Sequence, residues 1–268
     1  MERQPALSDL AATLSRLGIE HLYLSEAAHA FATSPKGSSM PSAQPQPRPT
    51  AGQPFVRNYP KPDSARRADK ARRLLELEEP LRTCQACRLC EGRTNLVYGV
   101  GNPDSPLLFI GEGPGRDEDL KGEPFVGRAG QLLTDMITKG MRIKREDVYI
   151  ANIVKCRPPE NRNPMPEEME ACLPNLERQI EIIQPRIIVT LGAVPAKALL
   201  KESLGITKLR GNWREHHGIP VMPTLHPAYI LRNPPAKRDW WEDIKQVIAF
   251  LNNDLTIPVS DHTNPSLF

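Results

Sequence analysis

This chain of 268 residues contains no run of about 18 apolar residues, so no apolar membrane-spanning helix is expected. Its start, Met1-Glu2-Arg3, lacks the basic region and following apolar run of an export signal. The expectation is a soluble, intracellular, cytoplasmic protein. A strong excess of one charge is missing too: 35 Lys and Arg stand against 32 Asp and Glu, a net +3. That balance is compatible with a polyanionic partner but too weak to diagnose one. There is no internal repeat. Cysteine is scarce and odd in number, with five in all, and in a reducing compartment a clustered odd set favours metal binding over disulfides. A dinucleotide fingerprint is absent as well: the loop GEGPG, Gly111 to Gly115, is followed by Arg116 where GxGxxG requires its third glycine.

What is present is enough for one sizeable core, since 39% of the residues are hydrophobic, while 28 prolines imply that part of the chain stays outside it. Leu7, Leu10, Leu14 and Leu17 would share one face of a short helix within residues 6–30, which packs on its own domain, frays in solution or docks on a partner. Residues 33–66 are rich in proline and poor in apolar side chains, so they read as a linker. The expected organisation is a disordered N-terminal extension over 1–66, a folded domain over 67–256 and a tail over 257–268. Within the domain, helical character begins around Ala68 to Glu78. Apolar runs at Leu107 to Ile110, Val148 to Ile153, Ile187 to Leu191 and Val221 to Leu225 then alternate with helical patterns around 130–139, 167–183 and 195–202. Such alternation predicts an α/β protein, a three-layer α/β/α domain with a central mostly parallel sheet. Ligands of such sheets bind beyond the carboxyl ends of the strands, where GEGPG, Asn152 and His226 all fall.

Cys84 and Cys87 form a CxxC pair, and Cys156 and Cys172 form a second pair with 15 residues between them. Folding can bring the pairs together as a four-thiolate metal site, with zinc and iron-sulfur both open at this point. Cys90 extends the first pair to CxxCxxC, so five cysteines compete for four positions.

Six blocks occur in order: TCQACRLCEGRT from Thr83, GEGPGRDED from Gly111, GEPFVGRAGQLL from Gly122, NIVKCRPP from Asn152, LGA from Leu191 and HPAYILRNP from His226. Together, over roughly residues 80–250, the chain resembles the family 4 uracil-DNA glycosylases, the iron-sulfur branch of that superfamily. The resemblance implies a 4Fe-4S cluster on Cys84, Cys87, Cys156 and Cys172, with Cys90 a non-ligand. It implies that uracil-containing DNA is the substrate and that the N-glycosidic bond is hydrolysed without a lyase step. Phe125 becomes the π-face that replaces lost base stacking, worth roughly 1 to 3 kcal/mol per base. Asn152 becomes the reader of the base edge, because an amide can donate to uracil O4 and accept from the N3 proton, both of which cytosine reverses. His226 becomes the donor to uracil O2, and Glu118 the acidic component that positions water or shapes the pocket wall. Glu112 and Gly113 of the glycine loop join the base pocket, and Tyr229 to Arg232 form the loop that enters the duplex. The basic residues Arg157, Arg162, Arg210, Arg214 and Arg232 are candidate phosphate contacts or scattered solubility charges. KLRGNWRE from Lys208 reads as a structural hairpin.

Two rival readings keep the fold: a module that holds damaged DNA or a polymerase without cleaving it, and a zinc protein serving DNA architecture. The chain is expected to be a monomer. Its terminal Leu267-Phe268, on a polar tail, resembles short peptides that bind bacterial sliding clamps, or belongs to an ordinary tail that folds back onto its own domain.

Overall fold

The computed structural model describes residues 63–253 and residue 255. The expected N-terminal helix and the tail whose Leu267-Phe268 was compared with clamp-binding peptides lie outside the described residues. Among the described residues, no helix is long and apolar enough to cross a membrane.

Helix α1, Ser64–Glu78, begins inside the segment expected to be linker. The reason is local: the Asp63 side chain accepts from the amides of Ala65 and Arg66 and so caps the first turn. Lys70 then fastens the helix to the domain through Asp104 and the carbonyl of Ile183.

Six strands follow: β1 Val100–Gly101, β2 Leu107–Gly111, β3 Tyr149–Asn152, β4 Ile187–Leu191, β5 Arg214–His216 and β6 Ile219–Thr224. They form one sheet in the order β1-β3-β2-β4-β6-β5. The four central strands are parallel, whereas β1 and β5 add antiparallel edges. The central strands match the apolar runs of the sequence. The two edge strands carry no such run and were not expected from it.

Strand alternation sends side chains to both faces, and both are covered. On one face Leu107, Phe109, Ile150 and Val189 pack with Leu133 and Ile137, and with Trp240, Ile244 and Val247. Helix α2 is Arg116–Lys121, and Leu133 lies on α3, Arg128–Asp135, which runs on as a π-helical turn over Met136–Met141. On the other face Leu108, Ile110, Ala151 and Ile188 meet Leu74 and Leu77 of α1 together with Leu176, Ile180 and Ile183 of α4, Pro166–Ile183. The remaining helices are α5 Ala193–Leu200, α6 Ile206–Leu209, α7 Pro227–Arg232 and α8 Lys237–Leu251. The result is the three-layer α/β/α architecture. Because β2 is flanked by β3 on one side and β4 on the other, the chain changes direction there and opens a crevice at the strand ends.

KLRGNWRE, expected to be a hairpin, runs from the end of α6 into the first residues of β5. Arg210 pairs with Asp243 of α8 at 2.7 Å, and Asp243 also accepts from Thr224 at the end of β6. The hairpin itself begins only at Arg214, after the short helix α6.

Candidate active site and cysteine centre

Beyond the carboxyl ends of β2, β3, β4 and β6 lies a cleft of about 500 Å³. Its wall includes Glu112, Gly113, Glu118, Phe125, Asn152 and His226, so the predicted pocket residues converge on one space.

Asn152 ends β3 opposite Gly111 of β2. It is 1% exposed, yet among the described residues neither its Nδ2 nor its Oδ1 has a hydrogen-bond partner. A buried amide left unpaired costs on the order of 1 to 3 kcal/mol, so its place in the cleft wall marks a position that awaits a polar ligand. Its backbone is held: Lys155, itself buried, donates from Nζ to the Asn152 carbonyl at 2.8 Å and to Gln179 Oε1 at 2.5 Å. Burial lowers the Lys155 ammonium to a pKa of about 8.

Phe125, which with Asn152 lies against Gly111, adopts a left-handed conformation, φ 54°, unusual for a bulky side chain. Two features hold it there. Gly130 leaves room for the Phe125 backbone where any Cβ would collide with it. The Glu118 carboxylate accepts from the amides of Val126 at 3.0 Å and Gly127 at 2.9 Å, pinning the loop just after the ring. Arg145 adds a bond to the carbonyl of Pro124.

His226 precedes α7 and lies 5.8 Å from Phe125 between ring centroids. Its Nδ1 accepts from the Ala228 amide at 3.0 Å. Burial first, and Arg232 second, lower its pKa to about 4, so the ring is neutral at physiological pH. With Nδ1 occupied as an acceptor, the ring proton belongs on Nε2. Gly192, φ 102°, brings the backbone at the start of α5 against this ring, since a Cβ there would lie 3.1 Å from that of His226.

The two glutamates are not equivalent. Glu118 is committed to backbone amides, whereas no hydrogen bond or ion pair engages the Glu112 carboxylate among the described residues. Burial raises the pKa of Glu112.

The basic residues also separate. Arg162 and Arg232 line the cleft, while Arg210 and Arg214 are paired with Asp243 and Glu202. Arg162 is itself oriented by a bidentate pair with Glu168. In the loop after His226, Ile230 is 2% exposed and belongs to the core, whereas Tyr229 and Leu231 are 42% and 40% exposed. Tyr229 is engaged through its hydroxyl by Asn233.

All five cysteines line a second, smaller concavity, and none forms a disulfide. Cys84 and Cys87 bracket the gap between two 3₁₀ turns, Glu79–Thr83 and Arg88–Glu91, Cys156 lies just past β3, and Cys172 is on α4. The Cys84 sulfur receives the Ala86 amide at 3.5 Å and the Cys156 sulfur receives Arg93 at 3.3 Å. Burial pushes the Cys156 thiol up to about 11, against the pull of Arg93. Lys155 and Arg93 were absent from the sequence-based site. Lys155 stood in view between Asn152 and Cys156, but only folding shows that its ammonium supports the backbone of the first.

An α/β/α sheet with a pocket at its switch point, an unpaired amide, a neutral imidazole and an aromatic wall defines a binding or catalytic cleft for a small flat polar group. A family model described as Uracil DNA glycosylase superfamily matches residues 98–245, and the chain belongs to that superfamily. It is 48% identical over 188 residues to a type-4 uracil-DNA glycosylase of Thermotoga maritima, covering 68% of this chain and 96% of that protein. A type-4 uracil-DNA glycosylase of Saccharolobus solfataricus is 46% identical over 187 residues, 66% of this chain and 86% of its own length. A type-5 uracil-DNA glycosylase of Thermus thermophilus is 29% identical over 191 residues, covering 58% and 86%.

Proposed function

We propose that this protein removes uracil from DNA by hydrolysing the N-glycosidic bond, leaving an abasic site and starting base excision repair. The observation that carries the reading is the unpaired Asn152 amide lining one cleft with the Phe125 ring and a neutral His226. Uracil satisfies that amide at O4 and N3, and cytosine leaves it with two mismatched groups, a difference that discriminates by roughly 10⁴-fold or more.

As the C1′–N1 bond breaks, its electron pair passes to the uracil ring and negative charge accumulates on O2. His226 donates its Nε2 proton as a hydrogen bond to that oxygen. A fixed neutral donor stabilises the developing charge without having to reorganise. A water oxygen forms the new bond to C1′, and its proton is accepted by the free carboxylate, Glu112. Glu118, expected to be the acidic component of the reaction, is assigned instead to positioning, since it holds the Phe125 loop through two amides. Gly113 lets the glycine loop lie close to Val154, so the pocket floor stays flat. Leu231 is the wedge that enters the vacated stack, because Ile230 is core and Tyr229 is already engaged. Arg162 and Arg232 meet the phosphates beside the cleft.

Cys84, Cys87, Cys156 and Cys172 would hold a 4Fe-4S cluster, with Cys90 outside it. Four thiolates around one zinc lie about 3.8 Å apart, as follows from Zn–S bonds of about 2.3 Å. Among the described residues, no three of these sulfurs gather within 4.8 Å of one another, which favours the larger cluster over a single ion. The amide and guanidinium donors on Cys84 and Cys156 suit cluster thiolates, whose charge is spread by hydrogen bonds. When bound, the cluster supplies a cross-link among the loops that carry the pocket.

The direct test is incubation with a single-uracil oligonucleotide, followed by alkali to cleave abasic sites. Strand cleavage with uracil and none with cytosine is expected. Tight binding of the uracil oligonucleotide with no free uracil released would instead make the protein a binding module.

A further inference from the structure

We propose a second metal site, remote from the cleft, in which Glu177, His216 and His217 bind one divalent transition ion of the zinc type. These residues offer one ligand atom each, and the three atoms all lie within 4.8 Å of one another. The set joins two elements, since Glu177 is on α4 while the histidines close the β5–β6 hairpin.

The hairpin geometry explains why neighbouring histidines face the same way. Consecutive residues along a strand point to opposite faces. Here the chain turns between His216 and Ile219, which are paired across the hairpin, and both intervening residues have positive φ: His217 at 48° and Gly218 at 77°. That is a two-residue turn of the primed kind, whose first position ordinarily takes asparagine, aspartate or glycine. With histidine there, its ring swings back to lie 4.3 Å from that of His216, edge to face at 67°. His216 is buried and its Nε2 lies 2.9 Å from Glu177 Oε2. His217 is exposed, so its ring can rotate to complete the set.

Two imidazoles and a carboxylate suit zinc, nickel or copper better than calcium or magnesium. Bonds of about 2.0 to 2.2 Å to a tetrahedral ion put ligand atoms about 3.4 Å apart, so from separations within 4.8 Å an adjustment of at most about 1.4 Å in His217 closes the site, with water in the fourth position. The turn stands at the start of β6, and His226 follows its other end. The ion is therefore structural: it staples α4, which also carries Cys172 five residues before Glu177, to the edge of the sheet.

The test uses untagged, full-length, iron-loaded protein, with iron measured before and after so that zinc entering the cysteine centre is detected. Equilibrium dialysis against zinc should give one zinc per chain with iron unchanged. Affinity should fall at least 10-fold in His217→Ala, whose side chain is exposed, and likewise in Glu177→Gln, and zinc should raise the melting temperature of the wild type but of neither variant. Absence of bound zinc in the wild type overturns the site, as does wild-type zinc affinity in either variant.

Discussion

Replacing Gly111 by alanine tests the base pocket through a residue that performs no chemistry. Gly111 ends β2 beside Asn152, and its φ lies outside the left-handed region, so alanine suits the backbone. The added Cβ, however, would sit 2.6 Å from two carbons of the Phe125 ring and nearer still to Asn152 Oδ1. Ordinary contact begins at 3.4 Å, so the ring must retreat by about 0.8 Å, the difference between those two distances. Little around it can give: Glu118 pins Val126 and Gly127, and Lys155 holds the Asn152 carbonyl. The displacement therefore falls on the space meant for the base. Overpacking of this kind costs about 1 to 3 kcal/mol of stability, whereas a misplacement near 1 Å in a catalytic pocket costs about 10²-fold in rate. Single-turnover excision from a uracil oligonucleotide should accordingly fall about 10²-fold in a variant that melts only a few degrees lower and keeps its iron. A folded, iron-loaded Gly111→Ala protein excising within about 3-fold of wild type would refute the packed arrangement of Phe125 and Asn152 against Gly111.

His226→Ala should retain DNA binding in a gel-shift titration but lose about 10²-fold or more in excision. Because burial and Arg232 bring His226 down to about 4, the wild-type rate should show no inflection near the ordinary histidine value of 6.5, and one that disappears in His226→Ala would contradict a neutral donor. Burial raises the pKa of Glu112, so its carboxylate is lost as pH falls through a value above the usual 4.5. Glu112→Gln should be slower by about 10²-fold and lack that acid limb, whereas a Glu118→Gln variant that loses the limb while Glu112→Gln keeps it would reverse the two roles. Alanine at Cys84, Cys87, Cys156 or Cys172 should strip the iron and the brown colour, while Cys90→Ala should keep both; zinc in place of iron in the wild type would sink the cluster assignment.

The central strands were legible because each is buried on both faces and therefore appears as an unbroken apolar run, as Ile187–Leu191 does. The edge strands were not. Val100–Gly101 and Arg214–His216 are short and partly exposed, and only their partners make them strands. The start of α1 was misjudged for a related reason: Ser64, Ala65 and Arg66 follow a proline-rich stretch, and the Asp63 cap acts over a shorter range than composition averages. The motif blocks marked every expected pocket residue, and all of them reach the cleft.

Residue types and their order along the chain determined the alternating architecture, the family and the chemical inventory of the pocket, because burial patterns and donor sets are properties of local sequence. Which of two glutamates is free, which residue of Tyr229 to Arg232 can leave the surface, which arginines face the cleft and which histidines meet a glutamate were decided only by tertiary structure. Those answers depend on partners 4 to 39 residues away, from Asn233 for Tyr229 to Glu177 for His216. A side chain's chemistry is written in its type. Whether that chemistry is available depends on which neighbours have already claimed its hydrogen bonds and how much water the packing has left it.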